Sequence, residues 1–221
     1  MEPKKCTAIV LAAGQGKRMH SKIQKQFLEI GGKPILYYSL CCFQESSLIE
    51  DIILVTGSDM IDYCKEEIVK KFGFTKVCKV IAGGKERYDS VYAGLLGCTD
   101  CDYVFIHDGA RPYVSKQSIN DLVECLKTYD AGLLMVPCKD TIKEVKEGIV
   151  VKTLKRETLM QAQTPQVFKS EDIKVAYQKA KDEGYVATDD SQLFERYIDK
   201  DIKAVLGDYS NLKITTQEDL K

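Results

Sequence analysis

Three observations in the sequence predict an α/β protein built on a doubly wound, mostly parallel, Rossmann-like sheet with a projecting β-hairpin arm. Short apolar, β-branched runs recur along the chain, each the length of a strand buried on both faces. Helical patterns with one apolar face lie between them, the βαβ alternation of a doubly wound sheet. One stretch, Lys139 to Leu154, breaks the rhythm: it is polar, rich in lysine, threonine and valine, and centred on the turn pair Glu147-Gly148.

The elements follow in order. Cys6 to Leu11 reads as the first buried strand, and Gly14 and Gly16 follow it at once. Pro34 suits the first position of a helix whose inward face carries Ile35, Leu36, Leu40 and Phe43. Ile52–Val55 is the second strand. Asp59 is placed to cap a helix with Ile61, Cys64, Ile68 and Phe72 inward. Val77–Ile81 and Tyr103–Ile106 are further strands, and Ser115 is placed to cap a helix with Ile119, Leu122 and Leu126 inward. Leu133–Val136 is the last run of this kind, and the hairpin arm follows over about 138–160. Ligands of such sheets bind at the carboxyl ends of the strands. The glycine turn after the first strand and His107-Asp108 after the fourth both fall there.

The 221 residues fit one domain, 1–221. Hydrophobic content of 44% and charged content of 29% are those of a globular chain and argue against disorder. Lys+Arg at 32 against Asp+Glu at 33 lacks the basic excess of a nucleic-acid surface. No apolar stretch approaches a membrane span. The nine cysteines are scattered, mostly within apolar segments, as small hydrophobes. Cys98-Thr-Asp-Cys101 has redox or zinc spacing, but no second pair or nearby histidine completes a site. We read it as structural and the chain as reduced and cytoplasmic.

The chemistry concentrates in Leu11 to Phe27. Two glycines free the backbone to approach a ligand closely. Lys17, Arg18, Lys22 and Lys25 follow, with no acid between Ala12 and Leu28 in a chain whose net charge is -1. Strand, glycine turn and cations together make a cradle for a polyphosphate. It is not a Walker loop, because Gly16-Lys17 is followed by Arg18 rather than a hydroxyl residue. Nor is it the dinucleotide fingerprint, because Met19 stands where the third glycine belongs. A solvated basic face on a flexible turn is the plainer alternative. The acid-free run after a buried strand favours the ligand site.

These residues resemble the nucleotidyltransferases that open with "LAAGxGxRM…PKQF". "GGKPIL" (31–36), "GGKERYDSV" (83–91), "HDGARP" (107–112), "KDTIKEV" (139–145), "QTPQVF" (163–168), "ATDDSQLFE" (187–195) and "NLKITTQEDL" (211–220) follow in that family's order. The match is to the CTP-using sugar-phosphate nucleotidyltransferases. Within them the chain looks most like the methylerythritol-phosphate cytidylyltransferases of non-mevalonate isoprenoid synthesis. The ribitol-phosphate cytidylyltransferases of teichoic-acid precursor synthesis are the nearest rival. Gln24 departs from the usual proline. A catalytically silent nucleotide-binding relative would be expected to have lost some of Arg18, Lys25, Asp108, Arg156 and Lys213, and all are present.

The resemblance implies transfer of CMP from CTP to a sugar-alcohol phosphate, with magnesium. It implies that Arg18, Lys25, Arg156 and Lys213 are catalytic. Ala12, Ala13, Gly14, Gly16, Gly83, Gly84, Arg87, Ser90 and Asp108 would bind the nucleotide, with Asp108 also facing the metal. Arg111, Thr141, Arg156, Thr164 and Lys213 would bind the acceptor. It further implies a homodimer in which the arm carries Thr141 and Arg156 to the neighbour's site. No nucleic acid or membrane partner is implied. The dianionic acceptor phosphate needs no general base. Two unit charges ~4 Å apart repel by ~4 kcal/mol at an effective dielectric near 20, so neutralisation and alignment are the task.

Overall fold

The structure, a computed structural model, describes residues 4–14 and 24–220. Among these, the strands are β1 (Cys6–Ala12), β2 (Glu29–Ile30), β3 (Lys33–Pro34), β4 (Asp51–Thr56), β5 (Val77–Ala82), β6 (Tyr103–Asp108), β7 (Ala131–Pro137), β8 (Lys143–Lys146), β9 (Ile149–Thr153), β10 (Met160–Lys169) and β11 (Ile202–Leu206). The helices are α1 (Ile35–Glu45), α2 (Ile61–Tyr63, continued by π-type turns over Cys64–Lys70), α3 (Arg87–Gly97), α4 (Lys116–Cys125), α5 (Ser170–Glu183) and α6 (Asp190–Tyr197).

Seven strands form the central sheet in the order β11-β7-β10-β6-β1-β4-β5. β6, β1, β4 and β5 run parallel, as do β11 and β7; β10 is antiparallel to both its neighbours. The expected mostly parallel, doubly wound sheet is therefore present. Successive residues alternate between its faces. Ala8, Val10, Leu54 and Phe105 pack on one side with Leu36, Leu40, Ile68 and Ile119 from α1, the π turns and α4. Ile9, Ile53, Val55 and Ile106 pack on the other with Val91, Ile173, Tyr177 and Phe194 from α3, α5 and α6.

Ser115 caps α4 as expected, its Oγ accepting from Ser118 N at 3.0 Å. Asp59 caps nothing: it lies exposed in a 3-10 turn, Ser58–Met60, that leads the chain into α2. The expected hairpin is β8–β9, with Glu147 at φ 49° and Gly148 at φ 80°, the paired left-handed residues of a tight hairpin turn. A further correction concerns Cys98 and Cys101, expected as unpaired structural thiols. The short turn from α3 toward β6 brings their Cα atoms to 6.7 Å, and the two sulfurs are bonded.

Candidate active site

Two loops at the carboxyl edge of the sheet meet over β1. The chain leaves β1 through Ala13 and Gly14, and leaves β5 through Gly83 and Gly84. Gly83 N donates to Thr56 O at 2.7 Å, which draws the second loop down onto the sheet. A Cβ on Gly83 would stand 2.6 Å from Ser90 Oγ and 2.7 Å from Ala13 Cβ, so only glycine lets the loops come this close. A reciprocal capping box then starts α3: the Glu86 side chain accepts from the third helical N–H, and Asp89 accepts from Glu86 N at 3.0 Å. Ser90 Oγ accepts from Gly84 N at 3.2 Å and donates to Glu86 O at 3.2 Å. The result is a rigid loop with Arg87 as the first residue of the helix.

Between these loops lies a cleft of about 480 Å3. Of the residues predicted from sequence it gathers Ala13, Gly14, Lys25, Gly84, Arg87, Ser90, Asp108 and Lys213. Ala12 is buried beneath it, and its carbonyl accepts from Gln26 Nε2. Lys25 Nζ donates to Ile214 O at 3.0 Å, tying the first loop to the C-terminal segment. Gly16 and Arg18, with Lys17 and Lys22, lie outside the described residues. A second hollow of about 500 Å3 at Glu195–Ile202 contains none of the predicted residues.

Asp108 is the charged centre. Its Oδ1 accepts from Arg87 Nε at 3.1 Å, its Oδ2 lies 2.7 Å from Lys213 Nζ, and Arg111 Nε stands 3.9 Å away. Burial opposes ionisation of Asp108, but the charges of Arg87 and Lys213, and then Arg111, outweigh it and hold the carboxyl well below the usual carboxylate range. Burial likewise works against the Arg87 cation, and the facing carboxylates overcome it, pushing its pKa well above the ordinary value. For Arg111 burial prevails over Asp108 and lowers the pKa.

Behind Asp108 a small network sets its backbone. Asp108 N donates to Thr164 Oγ1 at 3.1 Å, and Thr164 Oγ1 lies 3.0 Å from His107 Nδ1. His107 Nε2 lies 3.2 Å from the Arg111 carbonyl, which can only accept. The proton therefore sits on Nε2, and the Thr164 hydroxyl donates to Nδ1. Burial lowers the His107 pKa to about 4, so the ring is neutral. Thr164 is thus engaged behind the cleft, holding Asp108 in place. Arg111 Nη1 donates to Asn211 O at 2.7 Å, while its Nε is buried without a hydrogen-bond partner.

Thr141 and Arg156 are exposed and do not line this cleft; Arg156 Nη1 donates to Lys139 O at 2.9 Å at the base of the hairpin. Sequence reasoning missed Asp190, which is fully buried and pairs with Arg87. Its signal was the doubled acid in "ATDDSQLFE", where Asp189 caps α6 and leaves Asp190 to do something else.

A doubly wound sheet with glycine loops, and a carboxylate ringed by cations at its carboxyl edge, defines an α/β protein built to take a charged ligand at the ends of its strands. The family model described as IspD, 2-C-methyl-D-erythritol 4-phosphate cytidylyltransferase, matches residues 6–221. The chain is 47% identical over 218 residues to the 2-C-methyl-D-erythritol 4-phosphate cytidylyltransferase of Lachnospira eligens, covering 97% of this chain and 96% of that one. It is 46% identical over 217 residues to the enzyme of the same name from Geotalea uraniireducens, covering 97% and 93%. The crystal structure of the 4-diphosphocytidyl-2C-methyl-D-erythritol synthase of Anaerococcus prevotii superposes with a TM-score of 0.86 at 33% identity, covering 99% of this chain and 96% of that one. The chain belongs to the 2-C-methyl-D-erythritol 4-phosphate cytidylyltransferase family, and it is a cytidylyltransferase.

Proposed function

We propose that the chain transfers CMP from CTP to 2-C-methyl-D-erythritol 4-phosphate, giving 4-diphosphocytidyl-2-C-methyl-D-erythritol and pyrophosphate, in isoprenoid synthesis. The observation that carries this reading is the cation-ringed Asp108 at a cleft between two close-approaching loops, in a member of this family. An oxygen of the acceptor phosphate attacks the α-phosphorus of CTP. A new phosphorus–oxygen bond forms, the bond to the β-phosphate oxygen breaks, and pyrophosphate leaves with that electron pair. The barrier is anion against anion, so the work of the protein is alignment and charge neutralisation.

In this reading the backbone at Ala12, Ala13, Gly14 and Gly16 holds the triphosphate and base. Gly83, Gly84, Arg87 and Ser90 close the cytidine pocket. Arg18 and Lys25 face the α-phosphate and the leaving pyrophosphate, Arg18 as a planar fork and Lys25 as a point charge. Lys213 and Arg111 face the acceptor phosphate, while Thr164 steadies Asp108 from behind the cleft. The buried Nε of Arg111, 3.9 Å from Asp108, makes no hydrogen bond, and a phosphate oxygen would supply an acceptor.

Magnesium fits the donor set. That ion is typically held by one or two carboxylates together with substrate phosphates and water. A carboxylate offers about four lone-pair sites, and Arg87 and Lys213 occupy one on each oxygen of Asp108. When bound, the ion would neutralise phosphate charge; Asp108 would hold it.

The homodimer belongs to the same reading. The hairpin exposes Val145 and Val150 on one side and Ile149 and Val151 on the other, apolar side chains suited to contact with a second copy of the chain. Thr141 and Arg156 sit at its base and would complete the partner's site. Seven of the nine cysteines are free, which supports a cytoplasmic location, and the bonded pair Cys98–Cys101 is a local one three residues apart; among the described residues no helix is long and apolar enough to cross a membrane.

Pyrophosphate release with magnesium and CTP tests the reading. Turnover with 2-C-methyl-D-erythritol 4-phosphate and none with D-ribitol 5-phosphate is the expected result. Turnover with the second acceptor alone would overturn the substrate assignment.

A further inference from the structure

Arg87 is gripped from two sides. Its Nε edge meets Asp108 in the cleft, and its terminal fork meets a second carboxylate behind the cleft. Nη1 donates to Asp190 Oδ1 at 2.8 Å and Nη2 to Asp190 Oδ2 at 2.7 Å, the bidentate geometry that constrains a guanidinium most tightly. Asp190 is fully buried at the first turn of α6 and does not line the cleft. Its Oδ1 also accepts from the Tyr177 hydroxyl on α5. Tyr177 is 1% exposed, and its ring stacks at 4.9 Å on Tyr88, the residue after Arg87. Burial, and then the facing Asp190, push the Tyr177 phenol well above its ordinary pKa, so it stays protonated and donates.

A helix tie alone would account for one ion pair between α3 and α6. It does not account for the shared guanidinium. Among the described residues, Arg87 is the side chain that touches both Asp190 and Asp108, and it is also part of the cleft wall. Rotating the fork away from Asp190 would move the Nε that holds Asp108 Oδ1. Removing the Asp190 charge would leave Arg87 to Asp108 alone, where Lys213 and Arg111 already crowd. We infer that Asp190, held by the Tyr177 hydroxyl, is a positioning residue for nucleotide binding: it fixes Arg87, and through Arg87 the orientation of Asp108 in the cleft. This rests on the nucleotide-binding reading of that cleft.

The test uses the full chain and four variants: Asp190→Asn, Tyr177→Phe, Arg87→Lys and the Tyr177→Phe/Arg87→Lys double. CTP affinity is measured by titration calorimetry with magnesium, KM and kcat by pyrophosphate release, and folding by thermal denaturation. Asp190→Asn is expected to weaken CTP binding about tenfold. Tyr177→Phe, which keeps the stacked ring and loses one hydrogen bond, is expected to weaken it about threefold with kcat nearly unchanged. Because Tyr177 acts through Arg87, its effect should vanish in the Arg87→Lys background. Should Asp190→Asn fail to fold, Tyr177→Phe decides. Unchanged CTP affinity and KM in Tyr177→Phe, whatever its melting temperature, would overturn the inference. So would a loss that persists undiminished alongside Arg87→Lys. A wild-type chain that neither binds nor turns over CTP would instead bring down the nucleotide reading, and this inference with it.

Discussion

His107 and Asp108 are neighbours in sequence with opposite electrostatic fates. Both are buried, and burial alone would leave both neutral. Asp108 faces three cations and stays ionised; His107 faces a hydroxyl and a carbonyl and stays neutral. The resulting pH dependence has a definite sign. The His107 pKa is lowered from 6.5 to about 4 in the folded chain, chiefly by burial. Between those values the unfolded chain binds a proton that the folded chain does not, so stability falls as pH falls through that window. The loss approaches about 3 kcal/mol below pH 4. Urea denaturation between pH 7 and pH 4 should show this slope in the wild type and a flatter one in His107→Gln. Equal slopes would mean that His107 titrates normally. His107 and Asp108 were readable as residues, but not their charge states, because those depend on Thr164, Arg87 and Lys213 brought from far along the chain.

The same contrast holds for the elements. β1, β4, β6 and β7 announced themselves as apolar runs because both faces of each are covered, whereas β5, an edge strand, did so through the partly buried Val77, Val80 and Ile81. β10 did not. It carries Gln163, Thr164, Pro165 and Gln166, residues unlike a central strand. Those side chains are buried because each polar one has a partner: Gln163 donates to Asp208 O at 2.8 Å, and Gln166 donates to Asp189 at 3.0 Å and accepts from Ser191 N at 2.9 Å. The β10–β7 ladder shifts register between Ala162 and Gln166, which turns Thr164 toward Asp108. β11 hid for the opposite reason: as an edge strand with mostly exposed residues it has little apolar pattern. The Gly83-Gly84 loop was legible, and its geometry gives a prediction. A Cβ on Gly84 would collide with Asp89, the residue that closes the α3 capping box. Gly84→Ala should destabilise the fold by about 1–3 kcal/mol and raise the KM for CTP, read by thermal denaturation and steady-state kinetics. Wild-type values in both would show that the loop adapts without cost.

For the molecule as a whole, the arm is the feature that one chain does not explain. β8 and β9 pair with each other and with no strand of the central sheet, and their valines and Ile149 are exposed. If a second copy covers them and receives Thr141 and Arg156, active sites are shared. Mixing Arg18→Ala chains with Arg156→Ala chains should then recover about a quarter of wild-type activity, because half the dimers are mixed and each holds one intact site. Recovery of nothing beyond the separate variants, in dimers shown to be mixed, would mean that each chain completes its own site.

The sequence by itself determined the sheet's parallel core, the glycine loops, the hairpin turn and most of the cleft's cations. These rest on local rules: strand runs need covered faces, tight turns need glycine, and a triphosphate needs positive charge. Only the tertiary structure decided that Arg87 serves two carboxylates, that Asp190 is one of them, and that Thr164 holds Asp108 from behind. Those pairings join residues 103 and 56 positions apart. Their worth comes from burial, where a charge or a hydroxyl is tolerated only if the fold delivers its partner.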